Sequence, residues 1–498
     1  MGLISRRLVL GGLLAGVAGP AFAEAPAQSP RPVPRPVPRP VPRPVPHAEL
    51  EGVAALIAAA KLGGVTGFAV AELASGRILE AQDADVLVPP ASVAKIITAL
   101  YALEKLGAEY RFSTRVLAVG TVAGGRLTGD LVLAGGGDPS LDTDRLGDLV
   151  AALAATGLRE VTGRFVAHAG ALPAVARIAA DQPDHVGYNP GLSGLNLNFN
   201  RVYFEWKRAA GGWAIGMDAR GERFVPQVHM ARMTIARRDA PLFTQSLGAG
   251  VEDWSVASTA LNDEGGRWLP VRQTAVYVAE VFQTLCAAQG IKLPKAEVVQ
   301  ALPSGAVLLV EDRSALLREV LRDMLKFSTN VTAEVVGLTA SGARGLAESA
   351  AAMTLWAAGR LGMSSSFGDH SGLGPGSRVT ARDMLRALLA GQKTPGGAGL
   401  RGILRDVGMR DDAGKVIEGH RVKVRAKSGT LNFVSGLAGF VEPPSGGDLA
   451  FAIFSADVPR RSDLPLSERE QPKGGTAWTR RARVLQGQLI QRWAELYG

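Results

Sequence analysis

Residues 89–106 read PPASVAKIITALYALEKL, and this stretch decides how the rest of the chain is interpreted. After two prolines, apolar residues recur at helical spacing up to Gly107, which predicts an amphipathic helix from Ser92 to Leu106. Residues three apart share one helix face, so the Ser92 hydroxyl and the Lys95 amine can meet. An amine that burial partly deprotonates can take the serine proton, which makes Ser92 a candidate nucleophile and Lys95 its base. Taken alone, the pattern is more often a capping serine followed by a solvated lysine.

A second short motif, Ser328-Thr329-Asn330, follows an apolar helical pattern over residues 316–327. A hydroxyl at this position can relay a proton, and the Asn330 amide can hold both a substrate carbonyl and a lysine. The alternative is a cap for a helix that begins near Val331, which is a common use of these residue types.

A third motif, Lys427-Ser428-Gly429-Thr430, comes at the end of a predicted strand. Lys427 and the Ser428 hydroxyl suit a carboxylate, because hydrogen bonds to charged groups are strong. Gly429 would let a substrate backbone come close. Backbone N–H groups beyond it, with that of the nucleophile, can stabilise an oxyanion. The alternative is an ordinary turn.

The three motifs occur in the order S-x-x-K, S-x-N and K-S/T-G, on a predicted helix start, a loop between helices and a strand. This conjunction resembles the penicillin-binding proteins and serine β-lactamases. The 236 residues between Ser92 and Ser328 narrow the resemblance to the class C low-molecular-mass penicillin-binding proteins, the D-alanyl-D-alanine carboxypeptidase/endopeptidase family. The resemblance covers about residues 50–495. Strings that support it are Gly129-Asp130, Gly135-Gly136-Gly137-Asp138, Tyr188-Asn189-Pro190, Asn196-Leu197-Asn198-Phe199-Asn200-Arg201 and Asp369-His370-Ser371-Gly372-Leu373.

The resemblance implies an α+β fold, with a catalytic αβα sandwich around a central antiparallel sheet and additional inserted β-rich domains. The catalytic domain would comprise residues 47–115 and 312–498. Inserted domain II would comprise residues 116–189 and 276–311, and a nested domain III would comprise residues 190–275.

The resemblance also implies a penicillin-sensitive serine D-Ala-D-Ala carboxypeptidase/endopeptidase that works through an acyl-enzyme. Its partners would be peptidoglycan stem peptides and β-lactam antibiotics, and neither a metal nor another cofactor is implied. The catalytic residues would be Ser92, Lys95 and Ser328. The substrate-binding residues would be Asn330, Lys427, Ser428 and Thr430.

Three positions depart from the family pattern. Ser428 replaces the usual threonine, Thr329 lies where aspartate is frequent, and Gly374 follows Leu373 where serine is common. None of these changes removes a catalytic group, although substrate or antibiotic preference can shift. The alternatives are a serine β-lactamase or esterase of the same fold, and a catalytically silent wall-binding protein. The intact first motif argues against the silent protein.

The first residues predict export. A charged start with Ser5-Arg6-Arg7, a short apolar run and Ala21-Phe22-Ala23 are typical of a signal peptide over residues 1–23, either Sec or twin-arginine. Residues 24–46 contain four Arg-Pro-Val-Pro units, which predict a polyproline II linker. We therefore expect a periplasmic protein without a stable membrane span.

Composition argues against several other functions. The formal net charge is +9, and six arginines and one glutamate in the first 46 residues leave +4 for the remainder. No basic stripe interleaved with aromatic residues occurs, so a nucleic-acid partner is not expected. Cys286 is the only cysteine, which rules out an intramolecular disulfide and disfavours a cysteine-based zinc site.

Overall fold

The computed structural model describes residues 52–392, 399–411 and 413–498. The predicted signal peptide and proline-rich linker lie outside the described residues. The helices are α1 (Val53–Ala60), α2 (Lys95–Leu106), α3 (Thr143–Ala155), α4 (Thr274–Ala288), α5 (Leu317–Phe327), α6 (Asn330–Ser341), α7 (Leu346–Leu361), α8 (Ala381–Gly391), α9 (Leu400–Ile403), α10 (Val458–Ser462) and α11 (Gly475–Tyr497). The first nine strands are β1 (Val65–Glu72), β2 (Ile78–Gln82), β3 (Ser113–Ala123), β4 (Arg126–Gly135), β5 (Glu160–Val161), β6 (Phe165–His168), β7 (Arg201–Ala209), β8 (Gly212–Asp218) and β9 (Ala231–Ala236). The later strands are β10 (Phe243–Gly248), β11 (Val251–Ala257), β12 (Glu264–Pro270), β13 (Ala296–Val299), β14 (Val307–Arg313), β15 (Arg405–Asp406), β16 (Lys423–Leu431), β17 (Val434–Glu442) and β18 (Leu449–Ala456).

Apolar strands from the two ends of the chain form the central sheet. Six strands pair in the order β15-β16-β17-β18-β1-β2, and every neighbouring pair is antiparallel. Val65 of β1 lies opposite Ala456 of β18, and Glu72 lies opposite Leu449. β17 and β18 are buried along almost their whole length, as expected for apolar strands that are covered on both faces. The predicted α+β fold with a central antiparallel sheet is confirmed.

Helices cover both faces of this sheet. On one face, Leu56 of α1 and Trp478 and Trp493 of α11 join strand residues in a single apolar cluster. On the other face, α2, α6, α7 and α8 share a second cluster with β1, β17 and β18, which includes Ile96 and Val335. The order helix, sheet, helix is the predicted αβα sandwich.

Residues 113–313 form further sheets. Strands pair in the order β13-β6-β4-β3-β14, with β5 beside β4, and the sheet mixes parallel and antiparallel neighbours. α3 and α4 share an apolar cluster with this sheet, and Cys286 is buried within α4. Two three-stranded sheets, β12-β7-β8 and β10-β11-β9, come from residues 201–270. The predicted borders of inserted domains II and III stay predictions.

The first motif lies in a turn that precedes the helix. Ala91–Ala94 form one 3-10 turn in which Ala91 has a φ of 47°, and α2 begins only at Lys95. The helix was predicted to begin at Ser92, so Ser92 instead lies in the turn that feeds it.

The third motif lies inside a strand. The motif was predicted to follow the end of a strand, but β16 continues to Leu431 because its backbone pairs with β17 through all four motif residues. A Cβ on Gly429 would lie 2.8 Å from the backbone nitrogen of Ser92 and 2.9 Å from that of Val93. Glycine therefore lets the strand backbone pack directly on the nucleophile turn. The space expected for a substrate backbone is used by the protein itself.

The second motif lies at the predicted break between two helices. α5 ends at Phe327, Ser328 has a left-handed φ of 62°, and α6 begins at Asn330. α6 runs through the core, and a Cβ on Gly337 would come within 2.2 Å of the His370 ring. Glycine at this position allows the chain around His370 to lie directly against α6.

Within the three described ranges, we find no helix with the length and apolarity that a membrane crossing requires.

Candidate active site

The side chain of Lys95 joins three separate parts of the chain. Its Nζ donates hydrogen bonds to the Ser92 Oγ at 2.9 Å, to the Asn330 Oδ1 at 2.7 Å and to the Ser371 carbonyl oxygen at 2.8 Å. An ammonium group has three donors, and all three are used here. Ser92 and Lys95 are in contact, as the sequence predicted, and Asn330 of the second motif also binds the lysine.

The buried position of Lys95 suits it to act as a base. Removal from water lowers the pKa of Lys95 to about 8, while the nearby carboxylates of Glu334 and Asp369 oppose that shift. A base is most effective when its pKa lies near the working pH, because it then has both an appreciable neutral fraction and proton affinity. The Lys95 amine therefore meets the requirement for activating the Ser92 hydroxyl.

Two buried carboxylates hold the loop that contacts Lys95. Glu334 accepts hydrogen bonds from the backbone N–H groups of His370 at 3.1 Å and Ser371 at 2.8 Å. Asp369 accepts from the backbone N–H groups of Gly372 at 2.7 Å and Gly374 at 2.6 Å. Burial raises the pKa of Glu334 and of Asp369. The bonds fix the loop so that the Ser371 carbonyl faces the lysine.

Sequence reasoning missed Glu334. Its signal was present, because a lone acidic residue interrupts the apolar run VTAEVVGL of residues 331–338. A carboxylate in a helix that is otherwise buried must accept hydrogen bonds. It therefore indicates that another segment of the chain packs against the helix and supplies the donors. Asp369 and Ser371 appeared only as part of a supporting string.

The second and third motifs also meet. The Lys427 Nζ donates to the Ser328 Oγ at 3.0 Å and to the backbone oxygen of Ser428 at 2.6 Å. Only 2% of Lys427 is exposed. Burial, together with the positive charges of Lys95 and Arg405, lowers the pKa of Lys427 well below its ordinary value. Lys427 was predicted to receive a carboxylate, and its structural contact is with the candidate proton relay.

Asn330 uses both ends of its amide. Its Oδ1 accepts from Lys95, while its Nδ2 donates to the backbone oxygen of Tyr188 at 2.9 Å. An amide nitrogen has two donors, so one further hydrogen bond can be made. Tyr188 belongs to the segment between the two halves of the predicted catalytic domain, and its backbone thereby becomes part of the site.

The hydroxyl of Ser428 contacts a side chain that the sequence did not predict at the site. It accepts a hydrogen bond from an Nη of Arg405 at 2.8 Å. Arg405 was not identified from the sequence, because it lies in the two-residue strand β15, and only its pairing with β16 brings it to the motif.

An open cleft of about 1000 Å³ gives access to these groups. Ser92, Ser328, Asn330 and Thr430 line it, whereas Lys95 and Lys427 are buried behind its wall. Ser428 lines an adjoining cavity of about 250 Å³, which Thr430 also lines. The residues that line the cleft and were not predicted include Gln182, Tyr188, Leu373, Arg410, Asn432, Arg461, Arg469, Glu470, Thr476, Thr479, Arg480 and Arg483. Within the described ranges, no group of three or more His, Cys, Asp or Glu side chains is arranged to hold a metal ion.

Comparison with known proteins gives consistent matches over most of the chain. A family model described as the D-Ala-D-Ala carboxypeptidase 3 (S13) family matches residues 50–472. A D-alanyl-D-alanine carboxypeptidase of Actinomadura sp. (strain R39) is 26% identical over 426 residues, which are 79% of this chain and 78% of that protein. The D-alanyl-D-alanine carboxypeptidase DacB of Haemophilus influenzae is 25% identical over 412 residues, which are 79% of this chain and 85% of that protein.

The fold has a close counterpart among solved structures. Penicillin binding protein 4 (dacB) from Haemophilus influenzae superposes with a TM-score of 0.71 at 21% sequence identity. The superposition covers 90% of this chain and 99% of that chain. At this level of identity the match shows that the two chains share a fold.

The lowered pKa of Lys95 predicts how the reactivity of Ser92 depends on pH. Only the neutral amine can take the serine proton, so the rate constant for acylation of Ser92 by a β-lactam should fall roughly tenfold for each pH unit below about 8. Well above that pH it should level off. Stopped-flow or quenched-label measurements between about pH 6 and pH 10 give this profile. A rate that is flat over the whole range would show that Lys95 is not the group whose ionisation controls Ser92.

Proposed function

This chain belongs to the D-Ala-D-Ala carboxypeptidase 3 (S13) family, and we propose that Ser92 is the nucleophile with which it cleaves its substrate. The protein is a serine-type D-Ala-D-Ala carboxypeptidase that acts on peptidoglycan peptides and binds penicillins. The observation that supports Ser92 most directly is its 2.9 Å hydrogen bond from Lys95, a buried lysine with a pKa lowered to about 8.

Acylation follows from this arrangement. Neutral Lys95 takes the hydroxyl proton as the Ser92 Oγ attacks the carbonyl carbon of the penultimate D-Ala. The negative charge that develops on the carbonyl oxygen is held by the backbone N–H groups of Ser92 and Thr430. The bond to the terminal D-Ala then breaks, and its nitrogen leaves as an amine after it gains a proton. The penultimate D-Ala remains bound to Ser92 as an ester.

Ser328 is the proposed route for the proton that the leaving amine requires. Its hydroxyl lies on the cleft and accepts a hydrogen bond from Lys427, so it can donate its own proton to the amine and be replenished from the lysine side chains. Water then attacks the ester, one of its protons passes through Lys95 to the Ser92 Oγ as the ester bond breaks, and the carboxylate product leaves.

The remaining motif residues are the proposed substrate contacts. Asn330 has one unused Nδ2 donor on the cleft and can bind a carbonyl of the substrate backbone. Lys427 and the hydroxyls of Ser428 and Thr430 are the proposed anchor for the terminal carboxylate.

The one acidic residue among the described cleft-lining residues favours slow hydrolysis of a penicillin adduct. Of the described residues that line the cleft, Glu470 alone carries a carboxylate. Hydrogen bonds from His185 and from Arg267 hold it, and the His185 bond is the largest cause of a pKa lowered to about 2. Glu470 is thereby a poor candidate to activate water, which favours a persistent acyl-enzyme over a β-lactamase.

Export to the periplasm is also part of the proposal. It is supported by the signal-like residues 1–23, which end in Ala21-Phe22-Ala23. N-terminal sequencing of the protein recovered from the periplasm should begin at Glu24. Recovery of the chain with its first residues intact in the cytoplasm would contradict export by this signal.

Penicillin labelling tests the nucleophile. A fluorescent penicillin should label the wild-type protein covalently, and Ser92→Ala should abolish the label, because the ester can form only on this hydroxyl. Ser304→Ala is the matched control, since Ser304 is exposed and lies outside the cleft. Gel fluorescence and peptide mapping measure both. A label that survives in Ser92→Ala would remove Ser92 from its proposed role.

The carboxylate anchor is tested separately through Lys427. A charge-assisted contact is worth roughly 1.5–3 kcal/mol, or about one to two decades in rate. Lys427→Ala should therefore slow acylation by a free-acid ligand more than acylation by its methyl ester, which never makes the contact. Rate constants for the two ligands in wild type and variant give the comparison. Equal losses for both would mean that Lys427 acts only through Ser328 or through folding.

A further inference from the structure

Arginine side chains cover the part of the cleft next to the third motif. Arg410, Arg480 and Arg483 line the main cleft, and Arg405, Arg410 and Arg483 line the adjoining cavity with Ser428 and Thr430. Arg405, Arg410, Arg480 and Arg483 are exposed. This set of four is called the arginine surface below.

Over residues 52–392, 399–411 and 413–498, no ion pair neutralises the arginine surface. Arg405 donates to the Ser428 hydroxyl and Arg410 donates to the Gly414 carbonyl oxygen, which are both uncharged acceptors. Among the described residues, none of the four has a carboxylate within ion-pair distance. Elsewhere in the molecule arginines are commonly ion-paired, as Arg145, Arg220 and Arg401 each are with two carboxylates.

Arg405 and Arg410 lie close enough to Arg483 for their positive charges to repel. Arg410 and Arg405 both contribute, after burial, to a lowered pKa of Arg483. A Cβ on Gly414 would lie 3.3 Å from the Cγ of Arg480, so the Arg480 side chain packs beside Gly414. A cluster of like charges beside a cleft is unfavourable until an anion enters it, so its presence favours an anionic ligand over a neutral one.

The location of the arginine surface identifies which part of a substrate would reach it. It begins at Ser428, where the carboxylate next to the scissile bond is proposed to bind, and continues along α11, which carries Arg480 and Arg483. The first turn of α11 also faces the cleft through Gly475 and Thr476, and an N-terminal helix end adds positive potential. A group attached to the leaving amine would therefore lie on this surface.

We propose that Arg405, Arg410, Arg480 and Arg483 form a leaving-group subsite that binds further carboxylates on a second stem peptide. The proposal rests on the proposed function, because it takes Ser92 as the nucleophile and Ser428 as part of the first carboxylate anchor. The leaving group of a single stem is one amino acid with one carboxylate. The leaving group of a cross-linked stem pair is a whole peptide with additional carboxylates. The subsite therefore raises kcat/KM for the cross-linked substrate relative to the single stem.

The test compares three soluble substrates. The first is a single stem peptide ending in D-Ala-D-Ala, the second is a cross-linked dimer whose second stem carries free carboxylates, and the third is the same dimer with those carboxylates amidated. The enzyme variants are the full chain with Arg405, Arg410 and Arg483 all changed to Gln, and Arg483→Gln alone. Arg421→Gln is the matched control, because Arg421 is exposed and lies outside the cleft.

The ratio of kcat/KM for the acidic dimer to kcat/KM for the single stem is the quantity measured. The triple variant should lower this ratio by roughly tenfold or more, and Arg483→Gln by less, because each removes charge-assisted contacts made only by the second stem. Amidation of the dimer should lower the wild-type ratio by a similar factor. With the amidated dimer, the ratio should differ little between the triple variant and wild type. Added salt should reduce the wild-type ratio, and Arg421→Gln should not change it.

Failure of this proposal is distinguishable from failure of the proposed function. If Ser92 labels with penicillin and the single stem is hydrolysed, but the ratio is the same in the triple variant as in wild type, the subsite is wrong and the nucleophile stands. An amidated dimer that is cleaved as well as the acidic dimer would also overturn the subsite. If Ser92→Ala still hydrolyses the single stem, the proposed function fails and the subsite fails with it.

Discussion

The buried amine of Lys95 is the constraint on which the rest of the structure depends. A lysine can lie inside a protein only when its donors are satisfied, and here the acceptors come from positions 92, 330 and 371. Those three positions lie on a 3-10 turn, at the first residue of α6 and on a loop that Glu334 and Asp369 hold in place. Loss of any one contact would leave a buried polar group unpaired, so catalytic geometry and core stability depend on the same bonds.

Close packing of backbones places the third motif beside the first. Gly429 lets β16 contact the turn that carries Ser92, and the positive φ of Ala91 sets the direction of that turn. The strand then places alternate side chains on opposite faces, so Lys427 faces Ser328 while Ser428 faces Arg405. β16 therefore supplies both a buried lysine of the site and a residue that contacts the arginine surface. The groups proposed for proton transfer and those proposed to bind anions are thus held by the same strand.

The sequence predicted the three motifs and the helical patterns over residues 92–106 and 316–327, because each has a local signature in apolar spacing or in a short pattern. The central antiparallel sheet followed from the family resemblance that the motifs carry. The sequence did not predict Arg405, Glu334 or the carbonyl of Ser371 as neighbours of the site. These groups reach it through pairing and packing across long stretches of chain, and a single sequence carries no direct record of such contacts. Two local errors have local causes. α2 starts three residues late because Ala91 to Ala94 form a separate turn, and β16 is longer than its apolar run because polar motif residues also pair in the sheet.

The pairing of β1 with β18 has a consequence for biosynthesis. Val65 lies opposite Ala456, so the central sheet closes only when a strand made before Ser92 meets one made after Lys427. Lys427 and Gly429 lie on β16, which enters the sheet through β17 and β18. An incomplete chain that already contains Ser92 and Lys95 lacks the strands that complete the cleft. The nascent protein therefore has no assembled peptidase site until β18 has been synthesised, which keeps an enzyme that cuts the wall inactive while β16, β17 and β18 are still being made.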